Sequence, residues 1–457
     1  MALIGAIADD LTGATTVGAL LAKSGVDTVV LFNTEYIGSG EAVCRHQAVL
    51  VSTDSRALPR EEAYGRVKAA AIKLREIGVK QFSKRIDTTL RGGIGTEIDA
   101  MLDALGDDYV AVMVPAMPQS NRILIGGYSL IDGVPLSKTP VANDVKTPVM
   151  ESFVPRLIAS QTKNKIAYIG LDELLHGKEN LKKILSESRK SGARILLVDA
   201  TSLNEVEMIA QAVTELKWQT IAVDPGPFTE RLAAAHGWAD PGAGNSRKIR
   251  TESDSGDKGT VMVVAGSATP VTTMQMRALR RLNGTHVIPV KILPLLSGKK
   301  ECEAEINSVA EKAEKLFASD KPPRALILAF ETTLTGKLVD LIEQESLHGL
   351  AAGQASGIIA ESLGKIARGV MERIAGHVIG IYLTGGDIMV SVCRNLDVKG
   401  IKLIDYVIPQ ADQGRLVGGI CDGLSVVCKG GLTGEEKTAV QCVNRLFDER
   451  KYNPCNR

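Results

Sequence analysis

Aromatic side chains are scarce in this 457-residue chain, at 4%, no long basic run occurs, and the formal net charge is only +1. Nucleic-acid binding normally needs a basic surface and often stacking rings, so these absences argue against it. A small anionic ligand needs only a local cluster of positive charge, which net charge does not exclude. No apolar stretch reaches the roughly 18 residues of a transmembrane helix, and no membrane partner is expected. Acidic residues Asp9 and Asp10 follow the first apolar run at once, which does not read as a signal peptide. The seven cysteines (Cys44, Cys302, Cys393, Cys421, Cys428, Cys442, Cys455) are scattered and never form a C-x-x-C pair. A metal site is therefore not expected, and reduced thiols in a cytoplasm fit this usage.

What is present is ordinary globular composition, 44% hydrophobic and 23% charged. The length exceeds what one hydrophobic core usually serves, so two domains are expected. Short apolar, β-branched runs such as Leu3–Ala8, Ala48–Ser52 and Tyr109–Val114 alternate with helix-like stretches such as Arg60–Ile77. That alternation predicts βαβ units and mainly parallel sheets covered by helices. It lapses from Trp238 to Gly259 into Pro, Gly, Ser, Asp and Lys, then restarts at Thr260. The expected organisation is an α/β domain over 1–237, a linker over 238–259 and a second α/β domain over 260–457.

Chemistry-bearing residues gather at the predicted strand ends, where open α/β sheets bind ligands. A-D-D-L-T-G-A places Asp9 and Asp10 directly after Leu3–Ala8. One carboxylate would suffice to cap the following helix; two adjacent ones repel, which favours a functional reading. S-T-D-S-R brings Arg56, whose planar fork matches a carboxylate, though an ordinary loop charge fits as well. K-R-I-D-T-T-L-R-G-G-I-G-T-E supplies Lys84, Arg85, Ile86, Asp87 and Arg91, then glycines that let backbone approach a ligand before a helix. P-A-M-P-Q-S-N-R reads as a stiff loop with Arg122 at its centre.

The second half carries small-residue turns instead: A-G-S-A-T-P with Ser267, L-T-G-G-D with Thr384, Gly385, Gly386 and Asp387, and C-K-G-G-L-T-G with Gly430 and Gly431. Three such turns at three strand ends make a surface where backbone amides face phosphates. No G-x-x-x-x-G-K-S/T loop and no G-x-G-x-x-G after a strand occurs, which sets aside a Walker site and lowers hydride transfer. D-P-G-P-F, Asp224–Phe228, reads as a rigid turn closing the first domain.

Taken in order, these clusters resemble the four-carbon acid sugar kinase family over nearly the whole chain. The resemblance implies an N-terminal sugar-acid domain, a C-terminal ATP domain, an active site in the cleft between them, and γ-phosphoryl transfer to the terminal hydroxyl of a tetronate. Carried over by position, Asp10, Arg56 and the Lys84–Asp87 segment look like substrate contacts, with Arg91 and Arg122 beside them. Ser267, the Thr384–Asp387 turn and the Gly430–Gly431 turn look like ATP contacts. Arg56 and Lys84 are expected to take the substrate carboxylate, and Asp10 and Asp87 its hydroxyls. One of Asp9, Asp10 or Asp87 would accept the proton, and Mg²⁺ would bridge the ATP phosphates. Ile388 and Met389 depart from the family's usual Thr and Ala, and I-P-Q-A-D-Q-G-R departs from its P-G-x-P. The K-R-I-D-T-T-L-R-G form looks like the threonate and erythronate kinases and D-P-G-P-F more like the threonate branch, so D-threonate is the expected acceptor, with D-erythronate and 3-oxo-tetronate as alternatives. A non-catalytic sugar-acid sensor stands as the reading of another class. A homodimer is allowed.

Overall fold

The structure, a computed structural model, describes residues 2–38, 45–144, 146–242, 258–318 and 321–452. The chain divides into two compact units, Met1–Asn245 and Ser246–Arg457. Residues 243–257 of the expected linker, and Cys44 and Cys455, lie outside the described residues.

The first unit holds an eight-stranded, all-parallel sheet. Its strands are β1 (Ile4–Ala8), β2 (Thr28–Leu31), β3 (Ala48–Ser52), β4 (Gln81–Arg85), β5 (Tyr109–Met113), β9 (Ile166–Ile169), β10 (Ile195–Val198) and β11 (Gln219–Asp224), in the order β2-β3-β1-β4-β11-β5-β10-β9. Every residue of β1, β3 and β4 is buried. Helices cover both faces of such a sheet, so β1 (I-G-A-I-A) and β3 (A-V-L-V-S) read as near-continuous apolar runs rather than alternating ones, whereas β4 (Q-F-S-K-R) does not. The core on one face includes Val110, Leu196, Val198 and Phe228.

A separate antiparallel sheet of β6 (Arg122–Ile125), β7 (Tyr128–Ile131) and β8 (Val134–Pro135) stands where a plain loop was expected. The reason is local. Gly126 and Gly127 both take positive φ (59° and 75°), the two-residue turn that joins twisted antiparallel strands. Asp199 fastens this hairpin, accepting from the backbone N–H of Gly126 at 2.7 Å and Gly127 at 3.2 Å.

In the second unit the strands are β12 (Thr260–Ala265), β13 (Thr285–Val290), β14 (Ala325–Phe330), β15 (Val378–Thr384), β16 (Gly400–Ile408), β17 (Ala411–Val417) and β18 (Ser425–Lys429), in the order β13-β14-β12-β15-β18-β17-β16. The β13-to-β18 run is parallel, and β17 and β16 add antiparallel strands at its side. The I-P-Q-A-D-Q-G-R departure is the β16–β17 hairpin, turning at Gln410 with φ +67°. Val261, Val263, Tyr382 and Val427 pack with Phe447 in this unit's core.

Candidate active site

Strand register decides which loop residues can meet. Ala8 at the end of β1 pairs with Ser52 of β3 on one side and Arg85 of β4 on the other. The segments leaving these strand ends therefore converge, although the ends lie 33 to 77 residues apart in sequence.

Arg56 lies at the centre of that convergence. Its Nε donates to Asp9 Oδ2 at 2.8 Å and Nη2 to Asp9 Oδ1 at 3.1 Å, a two-point grip. Nη1 lies 2.7 Å from Asp10 Oδ2, and Nη2 lies 3.9 Å from Asp87 Oδ1. Arg85 adds Nη1 at 3.2 Å from Asp10 Oδ1, and Arg91 donates Nε to Asp87 at 2.7 Å. Three guanidinium groups thus interleave with three carboxylates.

Environment sets the three carboxylates apart. Burial pushes Asp9 up, but Arg56, Lys84 and Arg85 outweigh it and hold the group below the ordinary value. Burial likewise opposes ionisation of Asp87, and Arg56 and Arg91 pull it well below that value. Asp10 ends above it, because burial and the neighbouring charges of Asp9 and Asp87 exceed what Arg56 and Arg85 return. It is also the most accessible of the three, with 26% of its side chain exposed against 4% and 8%.

Asp10 serves the backbone too. It caps the helix Leu11–Lys23, accepting from the Gly13 N–H at 2.7 Å, so capping and charge pairing occupy one side chain. The helix starts directly after it. Gly13 is needed there for space: a Cβ would lie 2.0 Å from Arg85 Nη1. Ile86 is buried and donates its N–H to the Asp224 carbonyl at 3.1 Å. Asp224 itself accepts from the backbone of Gly226 and Phe228, each at 2.7 Å, consistent with a rigid turn. Arg122 heads β6, and its described partner is the Ser120 carbonyl rather than an aspartate.

Lys84 corrects an expectation. It is fully buried, with Nζ 2.7 Å from Glu97 Oε2 and donating to the Arg85 carbonyl at 2.8 Å. Successive strand side chains point to opposite faces. Arg85 faces the helix Leu11–Lys23 and the aspartates; Lys84 faces the helix Ile94–Leu105, which carries Glu97. Ser55, beside Arg56, donates to the same Glu97 at 2.6 Å. Glu97 therefore ties the β3 loop to β4 from beneath. A cleft of about 280 Å³ opens beside these loops, lined by Arg56, Leu90, Gly92, Gly93, Lys146 and Thr147 among others.

In the second unit, Ala265 pairs with Thr384 and Thr384 with Lys429, so all three turns leave the sheet at one level. Thr269 and Thr272 donate their hydroxyls to the Gly431 carbonyl at 2.7 and 2.8 Å. A Cβ on Gly431 would lie 2.4 Å from Ser267 Oγ, and one on Gly385 would lie 3.7 Å from the Ser267 backbone N. Gly385 has φ +104° and donates its N–H to the Lys429 carbonyl at 3.0 Å. Thr384 is buried, whereas Gly386 and Asp387 are exposed at the start of the helix Gly386–Asn395. Ile388 and Met389 are buried. Ile388 fills the space beside Gly266, where a Cβ would meet its Cδ1 at 2.5 Å. Ile388 and Met389 are thus packing residues.

Two family models match the chain, a sugar-binding N-terminal domain over residues 4–232 and a nucleotide-binding C-terminal domain over 262–439. The D-erythronate kinase of Heliobacterium modesticaldum is 36% identical over 443 residues, covering 96% of both chains. This chain belongs to the four-carbon acid sugar kinase family. A second relative in that family, the D-threonate kinase of Salmonella typhimurium, is 28% identical over 98% of each chain. In fold, a Haemophilus influenzae protein of the DUF1537 family superposes with a TM-score of 0.72, at 22% identity, over 96% of this chain and 98% of its own.

Against this kinase family's pattern, sequence reasoning overlooked Glu97, Gly13, Thr269 and Thr272. Glu97 left a trace, a carboxylate between Ile94 and Met101 on the buried face of its helix. The others act through a missing Cβ or through hydroxyls whose partner lies 159 or more residues away, and no local pattern marks that.

Proposed function

We propose that this kinase transfers the γ-phosphoryl group of ATP to the terminal hydroxyl of a four-carbon sugar acid, with D-erythronate as its first acceptor. The observation that carries the reading is the Arg56 grip on Asp9 and Asp10, which sets a cation-rich, acid-bearing cluster at the ends of β1, β3 and β4. The K-R-I-D-T-T-L-R-G motif fits both acceptors, and the 36% identity to a D-erythronate kinase supports D-erythronate over the D-threonate that D-P-G-P-F suggests. D-threonate is the second reading, on D-P-G-P-F and on the 28% relative.

Residues 1–237 would bind the sugar acid and 260–457 the nucleotide. Arg56, Arg85 and Arg91 would share the substrate carboxylate, with Arg122 in support. Lys84 and Ile86 would act from below, holding the β4 loop. Asp9 and Asp87, kept ionised by their arginines, would orient hydroxyls. Asp10 would accept the proton of the attacking hydroxyl, since it is the most accessible of the three carboxylates and the one whose pKa burial and its acidic neighbours raise. Ser267, Thr384, Gly385, Gly386, Asp387, Gly430 and Gly431 would hold ATP, mostly through backbone amides. Among the described residues no cluster of three His, Cys, Asp or Glu could hold a metal. Mg²⁺ would therefore come with the nucleotide, offsetting phosphate charge, with Asp387 as the nearby carboxylate. The described cysteines are free thiols, which supports a reducing, cytoplasmic setting.

Coupled ADP release with Mg-ATP against D-erythronate, D-threonate, their L-isomers and 3-oxo-tetronates tests the reading. Turnover on D-erythronate well above the rest supports it. ADP binding without turnover on any of them would sink the acceptor class, and no ADP binding would favour a sugar-acid sensor.

A further inference from the structure

Two lysines near strand ends in this chain fold back in the same way. Lys84 of β4 donates Nζ to the carbonyl of the next residue, Arg85, at 2.8 Å. Lys429, the last residue of β18, donates to the carbonyl of its next residue, Gly430, at 2.6 Å, and to Thr433 at 3.2 Å. Both are buried, at 0% and 2% exposure.

They differ in counter-charge. Lys84 has Glu97 at 2.7 Å. Lys429 makes no ion pair among the described residues. Its hydrogen-bond partners are carbonyls, and the titratable group that acts on it from a neighbouring element is a thiol. From the helix Thr438–Tyr452 comes Cys442, whose thiol burial pushes up to about 12. Cys442 in turn meets Tyr382 of β15, also pushed well up by burial. Gln275 and Gln410 hold the Thr433 end of the turn, at 2.9 and 3.0 Å. On β17, Lys429 is paired with Ala411, while Asp412 is registered with Cys428. Cys428 is likewise pushed well up by burial.

A buried ammonium held only by carbonyls is unfavourable, and burial lowers Lys429 to about 8. A structural lysine could be a methionine at less cost. The position suggests why it is not: the ammonium underlies the Gly430–Gly431 turn, on which the nucleotide reading seats phosphate.

We propose that Lys429 is the buried counter-charge for the polyphosphate of the bound nucleoside di- or triphosphate, so that Lys429 protonation and phosphate binding are one coupled event. The ligand brings to Lys429 the negative charge that Glu97 supplies permanently to Lys84. This rests on the nucleotide reading of the turn. Bound phosphate then raises the lysine, and binding in alkaline solution draws in a proton.

Calorimetry on the full chain tests this, with ADP and inorganic tripolyphosphate as probes. At about pH 9, in two buffers of different ionisation heat, binding is expected to take up a large part of one proton. Affinity should fall as pH rises from about 7 to 10. Lys429→Met should weaken both probes at least ~10-fold at about pH 7 and abolish the uptake, with the sugar-acid KM unchanged. Proton-neutral binding by the wild type above about pH 8 overturns the proposal, even if the variant does not fold. So does a folded Lys429→Met with unchanged affinity. Absence of ADP binding by the wild type at every pH would instead remove the nucleotide reading beneath it.

Discussion

The Arg56 guanidinium holds both oxygens of Asp9, Nε at 2.8 Å and Nη2 at 3.1 Å, across the boundary between β1 and β3. Only arginine offers that planar two-point geometry. Arg56→Lys is expected to keep the fold but lower kcat/KM at least ~100-fold, because Asp9 and Asp10 lose their shared partner. Arg56→Ala should also cost stability, about 3 kcal/mol, by leaving the buried Asp9 charge uncompensated. Steady-state kinetics and urea melts separate the two effects.

Asp10 differs from its neighbours in having its pKa raised. An acceptor must be ionised, so kcat/KM should rise with pH through a value above the ordinary carboxylate range. Asp10→Asn is expected to lower kcat by ~100-fold or more, remove that acid limb and leave ADP binding intact. An Asp10→Asn enzyme with wild-type kcat and limb would pass the role to another group.

Asp9 and Asp87 carry the opposite sign. Their folded pKa values lie below the ordinary ones, so the stability they contribute is fully present above about pH 4. It is lost as pH falls through the depressed values. Acid unfolding of Asp87→Asn should be shallower than that of wild type between about pH 4 and 2, read by near-ultraviolet circular dichroism.

Glu97 links Lys84 and Ser55 beneath the site. Glu97→Gln leaves a buried ammonium unpaired and is expected to cost about 3–5 kcal/mol in urea unfolding. Adding Lys84→Met should return much of that loss, since the pair is then replaced by apolar volume. Additive losses in the double variant would show that the two side chains are not coupled.

Gly266 faces Ile388 with no room for a Cβ, 2.5 Å from Cδ1. Gly266→Ala should raise the KM for ATP by displacing the Ser267 turn, with the sugar-acid KM unchanged. Ile388→Ala in the same chain should restore it, because truncation reopens the space. ATP titrations of the single and double variants are the check.

The alternation of apolar runs and helical stretches determined the α/β class and the parallel sheets, because backbone periodicity is a local property. It also placed acid, arginine and glycine clusters at strand ends, and ligand sites in α/β sheets lie there. The hairpin at Arg122–Ile131 escaped because its signal is a Gly-Gly turn, and Pro115 and Pro118 just before it made the segment read as a stiff loop. Tertiary structure alone decided which side of β4 each cation serves. Lys84 and Arg85 are adjacent and both basic, yet strand pleating sends one to Glu97 and the other to Asp10. It decided as well that Lys84 has a carboxylate and Lys429 has none among the described residues. Those partners depend on which strands lie side by side, and on which helix covers each face. Neighbour order of that kind is set by packing across the whole sheet, which no short stretch of sequence encodes.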